Sequence, residues 1–213
     1  QSGRYQDEYG LSYYIPWWLD RPQSIGLQLF KSDLNYSQYA SQQSERRSEG
    51  AVLTYGRNFG LFGSGSVSYT ISQSQDRLFY TGPLDAIVEL SYDIANSSIQ
   101  PVYTFDSRDS RLETTRGWNL VGSLEYAGGV LGGDNYFWRP EVHLSRFQPL
   151  TNSPIRTLAA FNLEAGLVSP FDGREVVPLE RYYMGGENSV RGFQFRSIYV
   201  TDEVTGLPVL QDG

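Results

Sequence analysis

The chain has no cysteine, one methionine and one histidine among its 213 residues. It also lacks any apolar run approaching the 18 or so residues that a membrane-spanning helix needs. Without cysteine there is no disulfide framework and no thiolate metal site, a composition that suits an oxidising compartment. His143 stands alone, with no second histidine or cysteine to complete a common metal site or a catalytic pair, so no cofactor and no metal are expected. Basic side chains are outnumbered, 17 Lys and Arg against 24 Asp and Glu, giving a net charge of −7. No basic stripe is on hand to meet phosphate backbones, and no nucleic-acid partner is expected. The length suffices for one domain with a core and demands no second one. Residue 1 is Gln and residues 1–213 contain no signal peptide, so the expectation is an internal segment of a longer protein.

Aromatic side chains are abundant. They make up 15% of the chain, with 16 Tyr, although hydrophobic residues reach only 39% and the mean hydropathy is −0.41. Tyrosine favours strands and membrane interfaces. In residues 61–71 the odd positions read Leu61, Gly63, Gly65, Val67, Tyr69 and Ile71, while Ser64, Ser66, Ser68 and Thr70 fall between them. A period of two marks a strand with one apolar and one polar face, whereas a helix would scatter those serines around its circumference. The same alternation recurs in 9–15, 25–31, 51–59, 99–105, 117–126, 135–147 and 155–167, making eight predicted strands.

The connections alternate in character. Compact turns at 17–23, 58–60, 106–116 and 148–154 are interleaved with longer polar stretches at 33–50 and 73–98, and with a short link at 127–134. Short turns on one rim and longer loops on the other describe a transmembrane antiparallel β-barrel. In 135–147 one face carries Arg139, Glu141 and His143, and the other carries Tyr136, Trp138, Val142 and Leu144. A charge on the lipid side would cost about 2–4 kcal/mol at the midplane, so the charged face is assigned to the lumen. Pro140 has no N–H for a ladder, and a bulge or a gap in pairing is expected there.

Two stretches stand out as candidate sites. Asp106, Arg108 and Asp109 form a charged turn whose carboxylates are suited to bonding local backbone N–H groups, ahead of Arg116 and Gly117. Residues 179–195, reading LERYYMGGENSVRGFQF, hold Gly185, Gly186 and Gly192 around Arg191. These glycines do not follow a strand and open a helix, as a nucleotide-binding fingerprint requires. Ser189 sits in no nucleophile elbow. The chain is not expected to be an enzyme.

The aromatic pair, Gly185-Gly186 and Val190-Arg191-Gly192-Phe193 resemble the signature of the BamA family of outer-membrane protein assembly factors. The DSRD turn at 106–109, followed by TTRG at 114–117, resembles a second pattern of that family. The resemblance implies an all-β, 16-stranded barrel of which residues 1–213 are a part. About eight strands would lie within 5–168, with 169–213 as the start of an extracellular loop that folds into the lumen and carries the Val-Arg-Gly-Phe tip. It further implies a bacterial outer-membrane insertase for β-barrel precursors, with POTRA domains ahead of the barrel. Its partners would be the lipid bilayer, unfolded β-barrel precursors and accessory assembly lipoproteins. Arg191 would pin the loop through an acidic partner beyond residue 213 and meet Glu141 or Glu164 only incidentally. The alternatives are a two-partner secretion or TamA-type transporter of the same superfamily, or a passive porin-like barrel.

Overall fold

The computed structural model describes residues 3–37, 42–81, 87–151, 157–177, 180–182, 184, 190 and 192–193. The strands are β1 (Gly3–Ile15), β2 (Gln23–Ser37), β3 (Gln42–Phe59), β4 (Gly63–Thr81), β5 (Ile87–Asp106), β6 (Gly117–Ala127), β7 (Phe137–Thr151), β8 (Thr157–Gly166) and the short β9 (Ser169–Pro170). They form one antiparallel meander in chain order from β1 to β8, with β9 paired to β7. Each predicted strand lies on one of these, but β1 to β5 run beyond the predicted ends, β5 by as much as 12 residues. No helix among the described residues is long and apolar enough to cross a membrane.

The register explains why the alternation is so regular. Tyr13, Leu27, Leu53, Tyr69, Ile99, Tyr126 and Trp138 are partners in turn across seven strands. On the same face Leu11 lies opposite Leu29, and Leu120 opposite Leu144, which in turn meets Leu163. This belt is uncovered: Leu11 is 71% exposed, Leu53 52% and Leu163 48%. The buried apolar cluster is small by comparison, consisting of Ala127, Phe137, Val168 and Val176. An apolar surface spread over a whole sheet face, with so little buried behind it, is stable against hydrocarbon rather than water. The opposite face carries Ser24, Thr54, Ser66, Ser68, Thr104 and Ser123, and Thr54 and Ser68 share a hydroxyl hydrogen bond of 3.0 Å.

The polar stretches 33–50 and 73–98 are not the loops that their composition suggests. Apart from 38–41 and 82–86, which lie outside the described residues, they continue β2 to β5 as strand. β4 has 19 residues and β5 has 20, whereas a bilayer needs only about 9–11 tilted strand residues. Apolar alternation marks only the part of a strand that faces hydrocarbon. Beyond it both faces meet water, and cross-strand pairing takes over. Lys31 lies opposite Glu49 and Asp33 opposite Arg47, joined as ion pairs at 3.4 Å and 3.5 Å.

Pro140 produces the expected gap. The β7–β8 ladder stops at Glu141 with Gly166 and resumes at Trp138 with Ser169. Across the gap only the Leu167 N–H donates to the Pro140 carbonyl, at 3.1 Å. The β5–β6 ladder likewise skips Gln100 and Pro101.

Inside the long strands, neighbouring backbone approaches closely at Gly50. A Cβ there would press on the Ile71 carbonyl oxygen and lie 2.7 Å from Ser72 Cβ, whereas one at Gly122 would meet no atom within 4 Å. Gly50→Ala is therefore expected to destabilise the barrel by about 1–3 kcal/mol. Gly122→Ala should change it by less than about 0.5 kcal/mol. Urea midpoints of the full-length protein in detergent micelles, followed by heat-shifted gel mobility, check both.

Candidate functional site

After β8 the chain climbs past the end of β7, where the Phe171 N–H donates to the Tyr136 carbonyl at 3.3 Å. The Phe171 ring stacks on Tyr126 with centroids 5.1 Å apart and leans on Tyr136 at 5.5 Å. Arg174 covers the Tyr136 ring at 4.3 Å. Asp172 and Gly173 both adopt positive φ, 60° and 68°, and reverse the chain. It returns along the inner wall, where Val176 packs on Ala127, Phe137 and Val168.

Glu180 then enters a network of buried charges. Its carboxylate accepts from Arg46 Nη2 of β3 at 2.6 Å and from Arg139 Nη1 of β7 at 3.3 Å. Arg139 also donates to the Glu180 backbone carbonyl at 3.3 Å, and through Nε to Glu125 of β6 at 3.2 Å. Glu125 and Arg139 are direct cross-strand partners. Burial opposes ionisation of Glu180, but the guanidiniums of Arg46 and Arg139 outweigh it and hold the carboxyl below the usual carboxylate range. β3 and β7 are four strands apart, roughly 19 Å along a sheet with 4.8 Å spacing. Only a curved sheet lets both arginines reach one carboxylate.

Two residues on, the Tyr182 hydroxyl donates to Glu141 at 2.6 Å, and Ser123 donates to the same carboxylate at 3.4 Å. Gly166, opposite Glu141 in the ladder, leaves the space that this hydroxyl fills; a Cβ there would lie 2.7 Å from it. Arg181 is buried, with its Nε donating to the Val176 carbonyl at 2.9 Å. The loop is thus tied to the lumen wall by charge on one side of Arg181 and by a phenol on the other.

The sequence-predicted residues fall into three groups. Gly185, Gly186 and Arg191 lie outside the described residues. Val190, Gly192 and Phe193 form a turn closed by Phe193 N–H to Val190 O at 3.3 Å. Gly192 has φ +92°, the value that the third position of a type II turn takes. Asp106, Arg108, Asp109, Arg116 and Gly117 are brought together between β5 and β6. Arg108 donates to both Asp106 oxygens at 2.9 Å. Asp109 accepts from the backbone N–H groups of Ser110, Thr115 and Arg116 at 3.0, 2.9 and 3.2 Å, and from the Thr115 hydroxyl. Gly117 has φ +116°, and its missing Cβ would collide with the Ser107 carbonyl. Of the two acids named as incidental partners of Arg191, Glu141 is engaged by Tyr182, and Glu164 faces His143 at 3.4 Å on an exposed part of the wall. Among the described residues no group of three or more His, Cys, Asp or Glu is placed to hold a metal ion.

Sequence reasoning did not single out Arg46 or Glu180, and it noted Tyr182 only as one of the aromatic pair, with no partner assigned. The signal for Glu180 is an acid that closes the apolar run Val176, Val177, Pro178 and Leu179, with Arg181 between it and the aromatic pair. Arg46 gave none, because it sits in a stretch that reads as polar loop.

Comparison with known proteins follows the same lines. The model of the Omp85 superfamily domain matches residues 1–209. The outer membrane protein assembly factor BamA of Nitratidesulfovibrio vulgaris is 32% identical over 108 residues, 49% of this chain and 13% of that protein. The sorting and assembly machinery component 50 homolog of Mus musculus is 31% identical over 102 residues, 48% of this chain and 21% of that protein. The crystal structure of BamA from Haemophilus ducreyi lacking POTRA domains 1–3 superposes with a TM-score of 0.76 at 21% identity. That match covers 92% of this chain and 39% of the other. The chain spans well under half the length of these relatives.

Glu180→Ala removes the acid shared by Arg46 and Arg139 and is expected to loosen the segment after Leu167, at a cost of about 3 kcal/mol. Faster protease cleavage within 167–182 of the folded full-length protein checks this. At the opposite rim the Thr115 hydroxyl, followed by backbone N–H groups, holds the Asp109 carboxyl well below the usual carboxylate range. A depressed folded pKa means that the contribution is complete above the ordinary value of about 4 and is lost as the pH falls toward the folded value. Amide exchange in 107–116, corrected for its intrinsic rate, should accelerate below about pH 4, and Asp109→Asn should flatten that dependence.

Proposed function

The chain belongs to the Omp85 superfamily, and from that premise we propose that it is the central part of a BamA-type insertase in a bacterial outer membrane. In this reading it performs no bond chemistry. It offers β-barrel precursors a bilayer-embedded wall at which to fold, with POTRA domains ahead of it and accessory lipoproteins beside it.

The observation that carries the reading is the return of the segment after β8 into the lumen and its attachment there through Glu180 to Arg46 and Arg139. A passive channel needs an open lumen, whereas here the protein's own chain occupies the inner wall between β3 and β7. The attachment is built from ion pairs and one phenol, which fix a position without sealing the wall into a rigid core. The BamA relative and the sorting and assembly machinery relatives, matched over about half of this chain, support an assembly role over a dedicated secretion role. The turn at Val190, Gly192 and Phe193 continues the same loop, and Arg191 is its proposed second anchor.

The test is complementation of a strain depleted of the native full-length protein. Depletion is expected to lower the levels of many outer-membrane barrels together, and the Glu180→Ala, Arg139→Ala double variant to restore them only in part. Normal barrel levels on depletion, with loss of one exported protein, would instead mark a two-partner secretion transporter.

A further inference from the structure

The lipid-facing wall carries charges at both ends of its apolar belt. On the side of the long hairpins outward charges of both signs lie side by side, and Lys31 pairs with Glu49 and Asp33 with Arg47. On the side of the short turns two outward arginines, Arg57 of β3 and Arg146 of β7, have no carboxylate partner among the described residues.

Each of the two is instead set on an aromatic surface. The Arg57 guanidinium lies over the Phe59 ring at 5.9 Å. Phe59 can lie against the sheet because Gly65, the ladder partner of Arg57 on β4, has no side chain; a Cβ there would come within 2.8 Å of that ring. Arg146 lies over Trp118 at 4.4 Å, and its ladder partners are Trp118 on one side and Phe161 on the other. Its Nη2 donates to Gln148, the next outward position, at 3.3 Å. The β1–β2 turn, with exposed Trp17 and Trp18, is tied to the end of β3 by Asn58 N–H donating to the Pro22 carbonyl at 3.1 Å. Aromatics of this kind settle at the headgroup level.

An arginine on the lipid face is tolerated near the interface, where its stem lies along apolar surface and its head reaches polar surroundings. A guanidinium resting on a ring still presents N–H groups at its edge, for Arg146 those beyond the one given to Gln148, and they match the oxygens of a phosphate. We propose that Arg57 and Arg146 are phosphate-binding positions on the outer wall, occupied by headgroups of anionic glycerophospholipids in the leaflet on the side of the short turns. A net-negative headgroup is preferred because a zwitterionic one brings its own cation toward the guanidinium. The inference rests on the barrel fold and the register, not on the insertase reading.

The full-length protein is reconstituted in phosphatidylcholine vesicles doped with photoreactive phosphatidylglycerol or, separately, with photoreactive phosphatidylcholine. After irradiation the labelled peptides are mapped by mass spectrometry. In the wild-type protein phosphatidylglycerol is expected to label the β3–β4 and β7 peptides about five-fold more than phosphatidylcholine does. The Arg57→Gln, Arg146→Gln double variant should lose that preference, the corresponding double Lys variant should keep most of it, and Arg47→Gln at the far end should leave it intact. Heat-shifted gel mobility establishes that each variant is folded. Equal labelling by the two lipids in the wild-type protein would overturn the proposal even if a variant failed to fold, as would an unchanged preference in a folded double Gln variant.

Discussion

A strand that crosses hydrocarbon must satisfy its backbone amides on its neighbours, because no water is there to replace them. The sheet from β1 to β8 follows from that constraint. Once the ladders are in register, the period of two leaves each side chain only two destinations, and Leu11, Leu29, Leu53 and Ile71 on one face commit Ser66, Ser68 and Thr54 to the other. The prolines show how strict the requirement is. Pairing is interrupted opposite Pro101 and Pro140, and at Pro140 the carbonyl still takes a bond from Leu167.

The inner wall is divided by chemistry along its length. Near the short turns it is lined by Ser24, Gly56, Ser64, Ser66 and Thr104 around a small polar hollow. Buried charge is concentrated farther along, at Arg46, Glu125 and Arg139, where the returning chain supplies Glu180. Desolvating charges costs several kcal/mol each, and ion pairs with good geometry roughly offset it. The network therefore contributes location more than net stability, selecting one seat for Glu180 on an otherwise hydroxyl-lined wall.

The strands that face lipid on one side and the lumen on the other were legible in the sequence, since burial alternates there and composition alternates with it. The extensions 33–37, 42–50, 73–81 and 87–98 were not legible, because water on both faces erases the alternation that marks a strand. The turn around Asp109 could be read in advance, since its bonds are local and its residue types are those that cap turns. The Glu180 site could not, because Glu180 lies 134 residues from Arg46 and 41 from Arg139 in sequence, and the three meet only when the sheet curves. Arg139 was assigned to the lumen face, yet nothing local in the sequence says which loop residue will meet it.

The end of β8 is where these constraints come together. For the chain to turn into the lumen it must leave the ladder without stranding a row of amides in lipid. Pro140 on the neighbouring strand has no N–H to strand, and its carbonyl retains Leu167. Gly166, one residue before the gap, gives up its side chain so that Tyr182 of the returning segment can reach Glu141. Asp172 and Gly173 then supply the left-handed pair that reverses the path. An ordinary residue at 140 or 166 would strengthen the local sheet and close the route by which the loop enters. The weakness in the ladder and the attachment of the loop are thus two results of one local arrangement.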